Sequence, residues 1–328
     1  MAGRALKTLT WLVVLCLIAA VAAIGWGYRS FNAPGPLTEA ETLILPRGEG
    51  VLAISRRLAD AGIVRDFRVF AVGVRLHRAE RRLRAGEYRF PAQASMLQVM
   101  QQLAAGETVV RRLTLPEGLT VREAVRQINA TEGLQGVIET IPPEGALLPE
   151  TYHFSYGDDR VEMLERMRRA MRQVLAEAWP GRASELPLQT PEEALVLASI
   201  VERETALPEE RARIAGVFIN RLRRRMRLQS DPTVVYGITG GDGPLNRPLS
   251  RADLRRPTPF NTYVISGLPP EPICNPGRAA IEAVLKPLAS QDLYFVADGK
   301  GGHAFAESYA QHQRNVRQWR RLERNDGQ

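Results

Sequence analysis

Cysteine is nearly missing from this 328-residue chain, which has only Cys16 and Cys274. Two such thiols make no disulfide framework, so the fold must stand on a hydrophobic core. Lysine is almost as scarce, at Lys7, Lys286 and Lys300, so 41 of the 44 basic residues are arginine. Histidine occurs four times (His77, His153, His303 and His312), never at metal-ligand spacing with another histidine or a cysteine. There is no H-E-x-x-H, no S-x-x-K, no G-x-S-x-G and no P-loop, which argues against zinc-peptidase, serine-acylating and nucleotide-hydrolysing chemistry. No metal and no cofactor is expected. What is present is ordinary for a globular protein: 45% apolar and 24% charged residues. The length fits two or three domains. A net charge of +8 invites a nucleic-acid reading, while the arginine bias has a bland source in a GC-rich coding sequence.

The first thirty residues argue against nucleic acid. Thr8 to Tyr28 is uncharged, and its run from Trp11 to Trp26 is strongly apolar. As a helix rising about 1.5 Å per residue, it would cover about 30 Å of hydrocarbon. Trp11 and Trp26 stand near its ends, where indole rings favour the interface. Arg4 and Lys7 precede it without a nearby acid, which predicts a cytoplasmic N-terminus. The rivals are a signal peptide cleaved near Ala20-Val21-Ala22 and a lipid on Cys16. The apolar run continues past the first, and bulky Leu15 precedes the second. A retained single-pass anchor is therefore expected, with the rest of the chain outside the cytoplasm and away from nucleic acid.

The expected divisions are 1–29 (cytoplasmic tip and anchor), 30–41 (a Pro/Gly-rich linker), 42–114 and 115–328. The 42–114 segment reads as β-α-α-β: Thr42–Leu45, helices near Val51–Ala61 and Phe67–Arg78, then Gly86–Phe90. A helix from Met96 to Ala104, capped by Ser95, and a strand from Thr108 to Thr114 follow. Leu45-Pro46-x-Gly48-x-x-Val51 is echoed 70 residues later by Leu115-Pro116-x-Gly118-x-x-Val121. Each copy reads as strand, tight turn and helix. Further on, a basic helix spans about Arg160–Ala178. Thr190-Pro191-Glu192-Glu193 starts another, with a cap, proline at its first position and acids in its first turn. The fold class is α+β, and arginines 221–227 are expected at the solvated end of a helix.

The carboxylates remain as candidates for chemistry. Eight uncharged residues, Ala194 to Val201, precede Glu202, which projects along a largely apolar helix face over Ser199, Ala198 and Leu195. Partial desolvation there would raise its pKa and suit a general acid for a glycosidic oxygen. The alternative is a solvated glutamate paired with an arginine. Glu204, backed by Ile200 and Val201, is nearly as good a candidate, and periodicity does not separate the two. Downstream, residues 226–237 and 259–270 interleave amides, hydroxyls and tyrosines, a mix suited to sugar.

Several motifs occur in one order: Ala198-Ser-Ile-Val-Glu-Arg-Glu-Thr205, Val217-Phe-Ile-Asn-Arg-Leu222, Leu228-Gln-Ser-Asp-Pro-Thr-Val-Val-Tyr-Gly237 and Phe260-Asn-Thr-Tyr263. Pro272-Ile-Cys-Asn-Pro-Gly277, Leu293-Tyr-Phe-Val-Ala297 and Gly301-Gly-His-Ala-Phe305 follow. Together they resemble the endolytic murein transglycosylase, or YceG-like, family from about Leu43 to Val316. The resemblance implies a LysM-like βααβ subdomain near the membrane and a larger α+β catalytic domain. Its implied activity is lytic cleavage of the MurNAc–GlcNAc bond of peptidoglycan near the inner membrane, leaving 1,6-anhydro ends and terminating strand elongation. Its implied partners are glycan strands, the inner membrane and peptidoglycan synthases.

Carried over residue by residue, the catalytic acid falls on Glu202. Tyr152, Gln229, Asp231, Thr233, Tyr236, Asn261, Thr262 and Tyr263 become the expected substrate-binding groups. Glu150 stands where the family often has Asp, and Glu271 where Gly is common. Two other classes stay open: a hydrolase using Asp231 as a second acid and leaving reducing ends, and a non-catalytic glycan-binding scaffold.

Overall fold

The computed structural model describes residues 2–326, with side-chain surroundings from Leu9 to Arg324. Arg4 and Lys7, which carry the expected orientation, lie outside that second range. By internal contacts the chain divides into two units: residues up to 111 with 153–158, and residues 112–152 with 159 onward.

In the first unit, α1 (Ala2–Asn32) includes one stretch, Leu9–Asn32, long and apolar enough to cross a membrane. The helix continues through Ser30 into the expected linker. No proline interrupts it before Pro34, and Phe31 gains a buried position beside Phe70 and His77. β1 (Glu41–Leu45) pairs antiparallel with β2 (Gly86–Phe90), Leu43 opposite Tyr88. Between them run α2 (Val51–Asp60) and α3 (Phe67–Leu76), so the β-α-α-β order of the sequence pattern is present. α4 (Met96–Ala105) begins with a capping box between Ser95 and Gln98 and ends at left-handed Gly106. Leu58, Phe70, Val74, Tyr88, Phe90 and Leu103 form the centre of this core.

β3 (Val110–Thr114) pairs with β4 (Thr151–Ser155), and the division between units falls inside both strands. The two echoed segments fold alike. β1 leads through Gly48 at φ 87° into α2, and β3 through Gly118 at φ 79° into α5 (Val121–Ala130). Both turns need the left-handed region that glycine enters without cost.

The second unit is built around α7 (Pro191–Glu204), whose residues 194–201 are all buried. Around it pack α6 (Arg160–Ala178), α8 (Pro208–Arg223) and α10 (Arg278–Leu285); α9 (Asp231–Thr239) meets it near its end. A helix buried all round reads as continuously apolar, which is why eight uncharged residues precede Glu202. β5 (Tyr294–Ala297) and β6 (His303–Ala306) form an antiparallel hairpin, with α11 (Tyr309–Asp326) against it.

Candidate active site

α7 ends at Thr205, and its last turn carries both candidate glutamates. Their surroundings differ.

The Glu202 side chain is only 5% exposed. Its Oε2 accepts from the Gly277 amide at 2.8 Å, and its Oε1 lies 3.6 Å from Arg211, which also reaches Glu117 at 3.4 Å. Arg203 donates to the Gly118 carbonyl, and Gly118 and Leu119 bond the backbone of Asn275. Glu202 is thus enclosed by the turn after β3, the start of α8 and the loop before α10. Burial raises its pKa, helped by Glu117 and opposed by the Gly277 amide and Arg211.

Glu204 lines a cavity of about 460 Å³. Its Oε1 accepts from the Ser230 hydroxyl at 2.5 Å. Burial raises this carboxyl to about 7, Asp231 adds to the shift, and the Ser230 bond, His303 and Arg221 oppose it. Across the cavity, Asp231 at the start of α9 accepts from the Tyr263 hydroxyl at 2.6 Å, and Gln229 adds an amide. Gln229 has φ 53°, a left-handed conformation that turns the chain into α9. The hairpin supplies Tyr294 and His303, and α11 supplies Tyr309 and His312.

Glu210 of α8 receives both the His303 amide, at 2.8 Å, and the His303 ring through Nδ1, at 2.6 Å. A carboxylate at Nδ1 makes that nitrogen the donor and fixes the orientation of the ring. His312 stacks on Tyr294, with centroids 5.1 Å apart and planes at 22°.

Of the eight expected substrate-binding residues, the structure brings Gln229, Asp231 and Tyr263 to this cavity. The others hold chain segments in place. Thr233 and Thr262 are buried, 2.8 Å apart through their hydroxyls, and both engage Ser230. Asn261 is buried and donates to the Arg256 carbonyl at 2.8 Å. Tyr236 donates to Glu144 at 3.2 Å. Tyr152 donates to the Leu148 carbonyl, and burial pushes its hydroxyl up to about 12.

Glu144 is a third carboxyl raised by burial, to about 7, although it accepts from the Val121 amide and Tyr236. Arg221 corrects the expectation of a solvated helix end: it is buried, donating to the carbonyls of Leu293 and Leu228 while lining the cavity. Burial of an arginine is tolerated here because backbone carbonyls satisfy its fork.

The sequence reading did not select His303, His312, Tyr294, Tyr309 or Arg221 for the site. The Leu293–Ala297 and Gly301–Phe305 motifs were the available signal for the hairpin. Among the described residues no cluster of His, Cys, Asp and Glu is placed to hold a metal ion. The arrangement offers a carboxyl raised to about 7, a second carboxyl tied to a tyrosine, and aromatic faces, which together can protonate and orient a sugar.

Residues 43–318 match the model of the YceG-like family. A protein named endolytic murein transglycosylase from Streptococcus pneumoniae serotype 2 is 28% identical over 359 residues, covering 94% of this chain and 64% of that protein. A Bacillus subtilis protein of the same name is 33% identical over 171 residues, or 52% of this chain and 46% of that protein. The chain thus spans less than two thirds of the length of these relatives. A solved structure of a putative YceG-like protein from Listeria monocytogenes has a TM-score of 0.52 at 27% identity, covering 84% of this chain and 99% of that one.

Proposed function

The chain belongs to the YceG-like family, and from that premise we propose that it is a membrane-anchored lytic transglycosylase that cuts peptidoglycan glycan strands internally. The observation that carries this reading is the Glu204 cavity. It holds a carboxyl raised to about 7, facing Asp231, Tyr263 and two histidines.

We place the acid at Glu204 rather than at Glu202, because Glu202 is engaged by Arg211 and the Gly277 amide, with Glu117 beside Arg211, while Glu204 lines the cavity. Protonated Glu204 donates to the oxygen between N-acetylmuramic acid C1 and the next N-acetylglucosamine, and that bond breaks. The resulting carboxylate takes the proton of the muramoyl C6 hydroxyl as its oxygen attacks C1 of the same sugar. The product is a 1,6-anhydro end, and Glu204 is again protonated. An intramolecular nucleophile has a high effective molarity, so no second catalytic carboxylate is needed. Gln229, Asp231 and Tyr263 position the sugar, and the other five expected residues support the wall.

In this reading α1 is a single-pass anchor in the cytoplasmic membrane, with a cytoplasmic N-terminus and the cutting unit outside. The β1-α2-α3-β2 order supports a LysM-like assignment for the membrane-proximal unit. The partners are nascent glycan and the synthases that extend it, and each cut ends a strand.

Digestion of purified sacculi and nascent glycan by the full chain, read by mass spectrometry, tests the reaction. Anhydro-ended fragments are expected. Reducing ends, heavier by one water, would instead make it a hydrolase with Asp231 directing water, and intact glycan would leave a scaffold.

A further inference from the structure

The membrane-proximal unit carries a surface that the proposed reaction does not use. α3 buries Phe70, Ala71, Gly73 and Val74. Its outward stripe is Arg68, Val72, Arg75 and Leu76, all exposed, at the helical spacing i, i+4, i+7, i+8. Val72 is 53% exposed and Leu76 is 78% exposed. Two bare aliphatic groups flanked by arginines gain nothing from water. At a lipid interface the aliphatic groups enter the acyl boundary, while the arginine stems lie along it with their guanidinium groups at phosphate level.

The position of α3 relative to α1 points to the same surface. Phe31, next to last in α1, is 5% exposed and stacks on His77 at 5.6 Å. Its ring fills the space a Cβ at Gly73 would need. α1 is one continuous helix from its apolar stretch to this contact. Phe31 lies five positions beyond Trp26, about 8 Å of helix at about 1.5 Å per residue, so α3 is held within reach of the headgroup layer. Residues 65–84 also contain seven arginines against two acids, Asp66 and Glu80, a charge excess that favours anionic headgroups.

We propose that α3 is an interfacial helix, which lays Val72 and Leu76 into an anionic phospholipid surface beside the point where α1 leaves it. The stripe is a second membrane contact that stops the unit from swinging about its anchor. It rests on the reading of α1 as a membrane span.

The test uses the full chain in nanodiscs, with Cys16→Ala to free the chemistry; Cys274 is buried. An environment-sensitive fluorophore is attached at Leu76→Cys or, separately, at Leu17→Cys within the apolar stretch. Quenching by brominated lipid is compared in discs of equal phosphatidylglycerol and phosphatidylcholine and in discs of phosphatidylcholine alone. Both labels should be quenched in the anionic discs. The Leu76 signal should fall by about twofold or more in the neutral ones, as electrostatic support is lost. Arg68→Glu with Arg75→Glu should produce the same fall in anionic discs. Quenching at Leu17 without quenching at Leu76 overturns the interfacial helix and leaves the anchor standing. Equal Leu76 quenching in both lipids overturns its anionic preference, and no quenching at either site overturns anchor and helix together.

Discussion

Glu202 and Glu204 stand two positions apart on one helical turn, and burial raises both, yet they face different surroundings. Around Glu202 every partner is protein: an amide, an arginine and, through that arginine, Glu117. Glu204 accepts from one hydroxyl, and beyond it lies a cavity lined by Arg221, Asp231, Tyr263 and His303. The division continues in α8, where successive residues serve opposite sides. Glu210 orients His303 at the cavity, and Arg211 pairs with Glu202. A raised pKa alone therefore does not pick out an acid catalyst. What distinguishes one is space for a substrate beside a carboxyl whose own partners leave it free to exchange a proton.

The sharpest way to break this comparison is to neutralise each carboxyl in turn. Glu204→Gln should lower the rate of glycan cleavage by about 10³-fold, the usual scale for a lost general acid. Glu202→Gln should keep activity within about threefold of wild type. The opposite pattern would return the acid to Glu202, where the family resemblance put it. The pH profile sharpens the same point. In the proposed reaction Glu204 starts protonated, so kcat/KM should fall above about 7, by about tenfold per pH unit.

Next in size is Arg211→Ala, which leaves Glu202 and Glu117 close together without their shared cation. A loss of about 2–3 kcal/mol in unfolding free energy is expected, read by denaturant titration, with kcat nearly unchanged. Glu210→Ala should do the reverse. Losing the carboxylate at Nδ1 frees the His303 ring to turn and change tautomer, so kcat should fall by about tenfold with little change in Tm. Equal effects of both variants on stability and rate would erase the boundary drawn between the two sides.

Much of this scaffold was legible beforehand, for local reasons. The Thr190-Pro191 start of α7, the span of α6 and the Ser95 cap of α4 are written in adjacent residues. The paired turns at Gly48 and Gly118 also follow from short patterns, and both adopt positive φ. Helical spacing could show that Glu202 and Glu204 lie near an apolar face, but not what would cover each. That depends on Gly277, 75 residues beyond Glu202, and on the hairpin that carries His303. Arg221 was misplaced for the same reason: its partner carbonyl at Leu293 is 72 positions away. The end of α1 was set by one long-range contact, Phe31 on α3, that no linker composition announces.

The smallest expected effect is the gain that Glu204→Gln should bring to folding. An unfolded glutamate titrates near 4.5, whereas the folded Glu204 carboxyl is raised to about 7. Between those values the native chain holds a proton that the unfolded chain has released. Raising the pH across that window therefore favours unfolding, and whatever stability the protonated form contributes is complete below about 4.5 and gone above about 7. Glutamine has no charge to bury, and its carbonyl can still accept from Ser230. The variant should match wild type near pH 5 and exceed it by about 1 kcal/mol at pH 8, a partial return of the desolvation cost. Glu144 carries a similar shift but is present in both proteins, so its share cancels in the difference. If the two unfolding curves stay parallel with pH while activity is lost, Glu204 ionises as freely as a solvated group, and burial is not what prepares it to give up a proton.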